Sequence, residues 1–301
     1  MDQFFNYTGQ MLGHWKFLKQ RVVHNCTDST EEEIIIILCR VVRRNLSSAL
    51  IMEDDVDWDV RIRDQLHDFA LSSRALIQPL QRQYANLRHT HSVERSPEKL
   101  LEMNFFDLPP TLVPSTSPYG DGWDLLWLGH CGMNFPSEHS GIIPKGRVVK
   151  KNDVSVPPKK DLWSFNQPFS LLDEYPPQTR VVHHSEMGVC ALAYAVSQQG
   201  ARKILREIAL KPATDAIDIL LRFYCEGTHG RTKQECITVN PTLFSHHRTA
   251  GPMRHASNIG DHGDGYRQKA LTDMIRLSVR LNAEVILNGS TAYIDQFPDS
   301  E

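Results

Sequence analysis

No apolar stretch in this sequence is long enough to cross a bilayer. The longest, residues 34–39, falls far short of the ~20 residues that a spanning helix needs. The N-terminus carries no basic stretch followed by an apolar core, so no signal peptide is expected. Six cysteines are present without a single CxxC pair, which argues against a zinc module. Neither sign of charge dominates: a formal net charge of -3 gives no reason to expect a nucleic-acid or anionic-membrane partner. No internal repeat is evident.

What remains is an ordinary globular composition, with 41% hydrophobic and 23% charged residues. A chain of 301 residues can bury one substantial core, with or without a small appendage. Fourteen histidines leave room for a metal or proton-transfer site, although most histidines in any chain are surface or packing residues. Cys225 and Cys236 flank a polar, glycine-containing loop and fit either a disulfide or two half-buried thiols. Asn6, Asn25, Asn45 and Asn288 each begin an N-x-S/T sequon, which fits secretory passage.

Periodicity divides the chain. Residues 49–52, 123–128 and 190–196 are short apolar runs suited to buried strands. Residues 60–90 read as helical, with Ile62, Leu66, Phe69 and Ala70 at helical spacing. The same spacing predicts helices over 200–210 and 215–225, and residues 237–239 form a last short strand before Pro241. Residues 89–122 and 133–180, rich in turn-forming residues, read as irregular excursions, with short strands near Val148. The tail from about 264 contains one helix and then polar residues. Strands separated by helices and long loops imply a layered α/β domain, in which ligands gather at the carboxyl ends of strands.

Polar clusters fall at such ends. Glu53-Asp54-Asp55 follows the strand at 49–52, with Asp57 and Asp59 beyond. Adjacent carboxylates repel, so their placement at a strand end costs stability unless a cation or donor groups compensate. A hard divalent cation such as Mn²⁺ or Mg²⁺ would accept carboxylate and phosphate oxygens together. The alternative is a solvated acidic loop that caps the following helix through Asp59 or Asp64. Asp215 and Asp218 lie three apart at a predicted helix start, where they can cap the helix or present a general base to a cleft. Ser245-His246-His247-Arg248 reads as a surface loop, or as metal and phosphate ligands.

The ordered set of segments resembles glycosyltransferase family 25, which includes lipooligosaccharide and collagen galactosyltransferases, and its fungal branch is the most similar. The resemblance covers roughly residues 40–260. It is carried by Ser47-Ser48-Ala49-Leu50-Ile51-Met52-Glu53-Asp54-Asp55-Val56 and Trp123-Asp124-Leu125-Leu126-Trp127-Leu128-Gly129. Ala193-Tyr194-Ala195-Val196-Ser197 with Gly200-Ala201, and Ser245-His246-His247 with Ser257-Asn258-Ile259, complete it. It implies a GT-A-like, Rossmann-like nucleotide-sugar-binding domain over residues 40–263. The acidic segment matches a DxD-like motif: Glu53 or Asp54 would face the nucleotide ribose and Asp55 the metal. His246 or His247 would lie near that metal, and Arg248 near the donor phosphates. The reaction implied is inverting transfer of galactose or another hexose from a nucleotide sugar, a UDP-sugar by family habit, to a glycan or glycoprotein. A Mn²⁺ or Mg²⁺ ion would neutralise the leaving diphosphate, and Asp218, or less directly Asp215, would take the acceptor proton. The family also implies the secretory pathway, although no signal or anchor is visible.

Two departures shape the expectations. No N-terminal strand with an Asn/Arg/Asp-rich base-holding loop is recognisable. Gly13-His14-Trp15 resembles a family helix that should run almost directly into Val41-Val42-Arg43-Arg44, yet residues 21–39 intervene. Residues 1–39 are therefore expected to be an atypical, truncated or inserted segment, with 21–39 poorly packed. The chain is accordingly expected to be a weak or inactive transferase. A non-catalytic relative of the family is one rival reading. A metal-dependent phosphohydrolase is another, disfavoured because the carboxylates crowd one loop rather than bridging two metals.

Overall fold

Alternation along three apolar strands builds the interior. The structure, a computed structural model, describes residues 17–19, 29–81, 102–211, 215–253 and 264–299. Its first half runs β1 (Phe17–Lys19), α1 (Ser29–Arg43), β2 (Ser48–Met52), β3 (Val56–Trp58), α2 (Ile62–Ile77), β4 (Glu102–Asn104), β5 (Leu125–Gly129) and β6 (Arg147–Lys150). Then come α3 (Ser170–Glu174), β7 (Arg180–His184), β8 (Ala193–Ser197), α4 (Gln198–Ile204), α5 (Ile217–Glu226) and β9 (Cys236–Asn240). The last elements are β10 (Phe244–Arg248), β11 (Gly251–Pro252), β12 (Tyr266–Arg267), β13 (Leu271–Thr272) and α6 (Ala283–Leu287).

One large mixed sheet has the order β1-β2-β8-β5-β9-β7-β6-β4, with β10, β3 and β13 attached beside the end of β5. β1, β2, β5, β9, β6 and β4 run one way, and β8 and β7 run against them. The three apolar runs are thus adjacent strands, β2, β8 and β5. Ala49, Ile51, Leu125, Trp127, Tyr194 and Val196 point to one face, where they pack with α1, α4 and α5. Leu50, Leu126, Leu128, Ala193 and Ala195 point to the other, against Phe69, Ala70 and Ala75 of α2. With both faces covered, unbroken apolar strands follow from period-two geometry.

α4 starts at Ser197, whose hydroxyl accepts from the Gly200 amide at 2.9 Å, and continues into a π-turn at Leu205–Ala209. Gly200 lies so close to the entry of β5 that a Cβ there would sit 2.0 Å from the Asp124 carbonyl oxygen. Only glycine permits that approach.

Several expectations need correcting. Residues 34–39 are not a poorly packed insertion: they belong to α1, whose Ile34, Ile37, Leu38 and Val41 are buried in the core while Ile36 is 50% exposed. The isoleucine run looked unsuited to a surface element because it has no polar break. On a helix, however, a 3.6-residue period turns only part of the run inward. Residues 21–28 lie outside the described residues. A short strand does open the sheet: β1 pairs in parallel with β2 as Phe17↔Leu50 and Lys19↔Met52, while the stretch before Gly13, where no base-holding strand and loop are recognisable, lies outside the described residues. The excursion at 89–122 contains β4, which adds to the sheet edge beside β6. Residues 133–180 build a third cluster around Phe135, Val149, Phe169 and Val181.

The tail contains a helix, α6, followed by largely exposed residues, and it is also tied into the sheet. β13 pairs with β10, and Thr272 and Ser278 donate hydrogen bonds to the buried Asp57 carboxylate. Two disulfides tie the fold, Cys225–Cys236 and the unanticipated Cys131–Cys190, while Cys39 is a free, partly buried thiol. Among the described residues no helix is long and apolar enough to cross a membrane.

Candidate functional site

The carboxyl end of β2 turns sharply through Glu53-Asp54-Asp55 into β3, and β10 lies antiparallel to β3 as a flap beside this turn. The backbone pins the turn on both sides. The Glu53 amide donates to the Leu192 carbonyl at 2.9 Å, and the Asp55 carbonyl accepts from the His247 amide at 2.8 Å. Arg280 of the tail donates to the Asp54 carbonyl at 2.6 Å and to the Val56 carbonyl at 3.1 Å.

Side chains at alternate positions of β10 go opposite ways. His246 faces the acidic turn, with Nε2 3.9 Å from Asp55 Oδ2 and 4.0 Å from Glu53 Oε2. One ligand atom from each of Glu53, Asp55 and His246 lies within 4.8 Å of the others. Arg248, on the same side as His246, pairs with Asp273 at 3.4 Å, and its charge partly offsets the upward push of burial on the Asp55 carboxyl. His247 points to the other side: its Nδ1 is 2.9 Å from Thr272 Oγ1 and 3.9 Å from the buried Asp57. Of the two alternatives, His246 or His247, strand geometry brings His246 to the carboxylates and turns His247 away. Ser245-His246-His247-Arg248 is a strand, not a surface loop; its polar residues disguised a short element whose partners, β3 and β13, lie far away in sequence.

Of the acidic series, Glu53 and Asp55 are partly buried and Asp54 is exposed. Asp57 and Asp59 are buried and consumed by structure, Asp59 pairing with Arg61 at 2.7 Å. Burial, then the charges of Asp55, Asp218 and Asp54, push the Glu53 carboxyl up to about 7. Burial raises Asp55 as well, against the pull of Arg248 and Arg280. Asp55 Oδ1 is buried with no hydrogen-bond partner among the described residues. Two carboxylates, one of them with an unpaired buried oxygen, and an imidazole form a donor set suited to a Mn²⁺-class cation.

Asp218 sits on the first turn of α5, close enough to raise Glu53. Its Oδ1 accepts from the Ile219 amide at 2.9 Å and its Oδ2 from the Cys190 amide at 2.8 Å. Asp215 is exposed and precedes the helix, which starts at Ile217 behind an Ala216 cap. The Asp215–Asp218 capping box is thus absent, and Asp215 lies outside the cluster's helix. Ser257-Asn258-Ile259 lies outside the described residues.

Three contributors escaped sequence reasoning. Arg280 and Cys190 act largely through backbone partners. Tyr194 buries its hydroxyl beside Glu53, where burial and that charge push it well above the usual phenol range. The parity of the cysteine count was the one available hint, and it pointed to no particular pair. No protein-family model matches the chain, and no curated protein matches it either.

Proposed function

We propose that this chain is a metal-assisted glycosyltransferase that moves a hexose from a nucleotide-sugar donor, of the UDP-sugar type, to a glycan or glycoprotein hydroxyl. The observation that carries the reading is the convergence of Glu53, Asp55 and His246 at the carboxyl end of a parallel strand, with Asp218 alongside. This is the edge at which α/β sheets gather ligands.

Glu53, Asp55 and His246 would hold the cation, which when bound would neutralise the diphosphate leaving group. Arg248 supplies a fixed positive charge on the same side of β10 for the donor phosphates. Each Asp218 oxygen accepts one backbone hydrogen bond and keeps a further lone pair. The carboxylate is thereby oriented and still able to take the acceptor hydroxyl proton, as an inverting displacement requires. The rival reading, an inactive relative, rests on the lack of a recognisable first strand with a base-holding loop; β1, a parallel neighbour for β2, favours the active reading over it.

The test is a panel of nucleotide sugars incubated with purified protein and Mn²⁺, scored for released nucleoside diphosphate. Release that disappears with a chelator and with Asp55→Asn supports the assignment. Absence of release from every donor, or release indifferent to both changes, rejects it.

A further inference from the structure

We propose that Cys190 is a positioning residue for the Asp218 carboxylate, held to that task by the Cys131–Cys190 disulfide. The proposal rests on the glycosyltransferase reading for its catalytic consequence, but not for its geometry.

α5 is fastened to the sheet at both ends. Its far end is bonded through Cys225 to Cys236, the first residue of β9. Its first turn has no such bond and no capping side chain, because the cap position is Ala216. Leu220 and Leu221 pack that turn into the core, and the hydrogen bond from the Cys190 amide to Asp218 Oδ2, at 2.8 Å, fixes its carboxylate to the sheet side. An aspartate at that position would otherwise be free to rotate toward solvent or toward its own helix amides.

Cys190 presents its amide from an unusual backbone. Its φ of +61° lies in the left-handed region, which a residue with a Cβ enters at a cost. The surroundings enforce it at four points. Its sulfur is bonded to Cys131, two residues beyond β5, and its carbonyl accepts from the Trp127 indole at 3.0 Å. The preceding Val189 is paired in both directions, accepting from the Cys131 amide at 2.8 Å and donating to the Gly132 carbonyl at 3.0 Å. Of these ties, the disulfide is the covalent one. It links the strand that carries the core to the residue that orients the carboxylate. Loss of the bridge should let Cys190 relax toward ordinary φ, which swings its amide away from Asp218. Glu53, Asp55 and His246 have separate supports in Leu192 and β10, so cation binding should not follow.

The experiment compares Cys131→Ala with Cys225→Ala, which removes the other disulfide and leaves this contact alone. In Cys131→Ala the Cys190 amide should exchange its hydrogen about tenfold or more faster than in the parent, with no such change in Cys225→Ala. Cys190→Ser keeps the amide, removes the bridge from its other side, and must give the same acceleration. Turnover of the donor found active should fall about tenfold in Cys131→Ala at unchanged donor KM. Mn²⁺ affinity by calorimetry should stay where it was, and Cys131→Ala should cost nothing further in an Asp218→Ala background. Unchanged exchange at Cys190 in both bridge variants overturns the proposal, as does an equal loss of turnover with and without Asp218. If the parent itself turns over no donor, the exchange measurement still decides the positioning claim, so that failure counts against the transferase reading alone.

Discussion

Glu53 is a group whose neighbours work against its charge. Its carboxyl, raised to about 7 from 4.5, binds a proton more tightly in the folded chain than in the unfolded one. The stabilisation that this gives is fully present below 4.5 and is lost as pH rises through about 7. The full swing is about 3 kcal/mol at about 1.4 kcal/mol per pH unit. Glu53→Gln should therefore raise the Tm of the metal-free protein at pH 8 and leave it nearly unchanged near pH 4.5; equal Tm values at pH 8 would refute this. Asp57 has no exposure and accepts hydrogen bonds from Thr272, Ser278 and the Trp58 amide. Asp57→Ala strands those donors and should cost about 2–4 kcal/mol in urea unfolding. A change near zero would mean that the tail does not rely on this carboxylate.

Helix α1 shows what a periodic reading can and cannot recover. Leu38→Ala and Ile37→Ala should each lower stability by about 2–5 kcal/mol, whereas Ile36→Ala, at a half-exposed position, should change it by about 0.5 kcal/mol or less. Equal effects at all three would restore the view of this stretch as an unpacked insertion. Gly200→Ala should cost about 3 kcal/mol, because the new methyl meets backbone rather than a side chain that can yield. The strands at β2, β5 and β8 and the helix α2 were legible because each has one dominant period or one apolar run. α1 was obscured by four consecutive isoleucines, which show no period of their own. β3 and β10 were obscured because three- and five-residue strands with polar faces carry almost no pattern. Within the acidic turn, the residue types were legible as a charge problem. Which of them share a cluster was decided by the twist of β10, and so the split between His246 and His247 could not be read beforehand.

Across the whole molecule, acid acts on two sets of groups with opposite signs. His130 is fully buried, its Nε2–H donates to the Val239 carbonyl at 3.0 Å, and burial lowers it to about 4. His183, buried in strand β7, is also held well below its ordinary value, by burial first and then by the charge of Arg147. A base depressed in the folded state gives stability that is present above 6.5 and lost as pH falls through its folded value, here about 3 kcal/mol for His130 alone. Between pH 7 and 4.5 Glu53 gains about what His130 loses and the loss at His183 comes in addition, so these three groups together should weaken the metal-free protein on acidification. A Mn²⁺ ion held by Glu53, as proposed, would keep that carboxyl from taking up its proton freely, and the fall should then be steeper. Tm measured from pH 7 to 5 with and without Mn²⁺ checks both statements; a metal-free Tm that rises toward pH 5 would contradict the first.

The bond from Thr272 to Asp57 joins residues 215 apart in sequence. At a synthesis rate of about 5–20 residues per second, Asp57 leaves the ribosome's catalytic centre roughly 10–40 s before its donor exists. Throughout that interval an aspartate destined for complete burial lacks its tail donors, and for most of it β3 also lacks β10, which begins only at Phe244. The acidic turn is thus the last part of the protein to close, in time as well as in space. A nascent chain arrested just before Thr272 should be cleaved by protease around residues 53–58 while β2, β5 and β8 resist. Equal resistance in both regions would show that the turn closes without its distant partners.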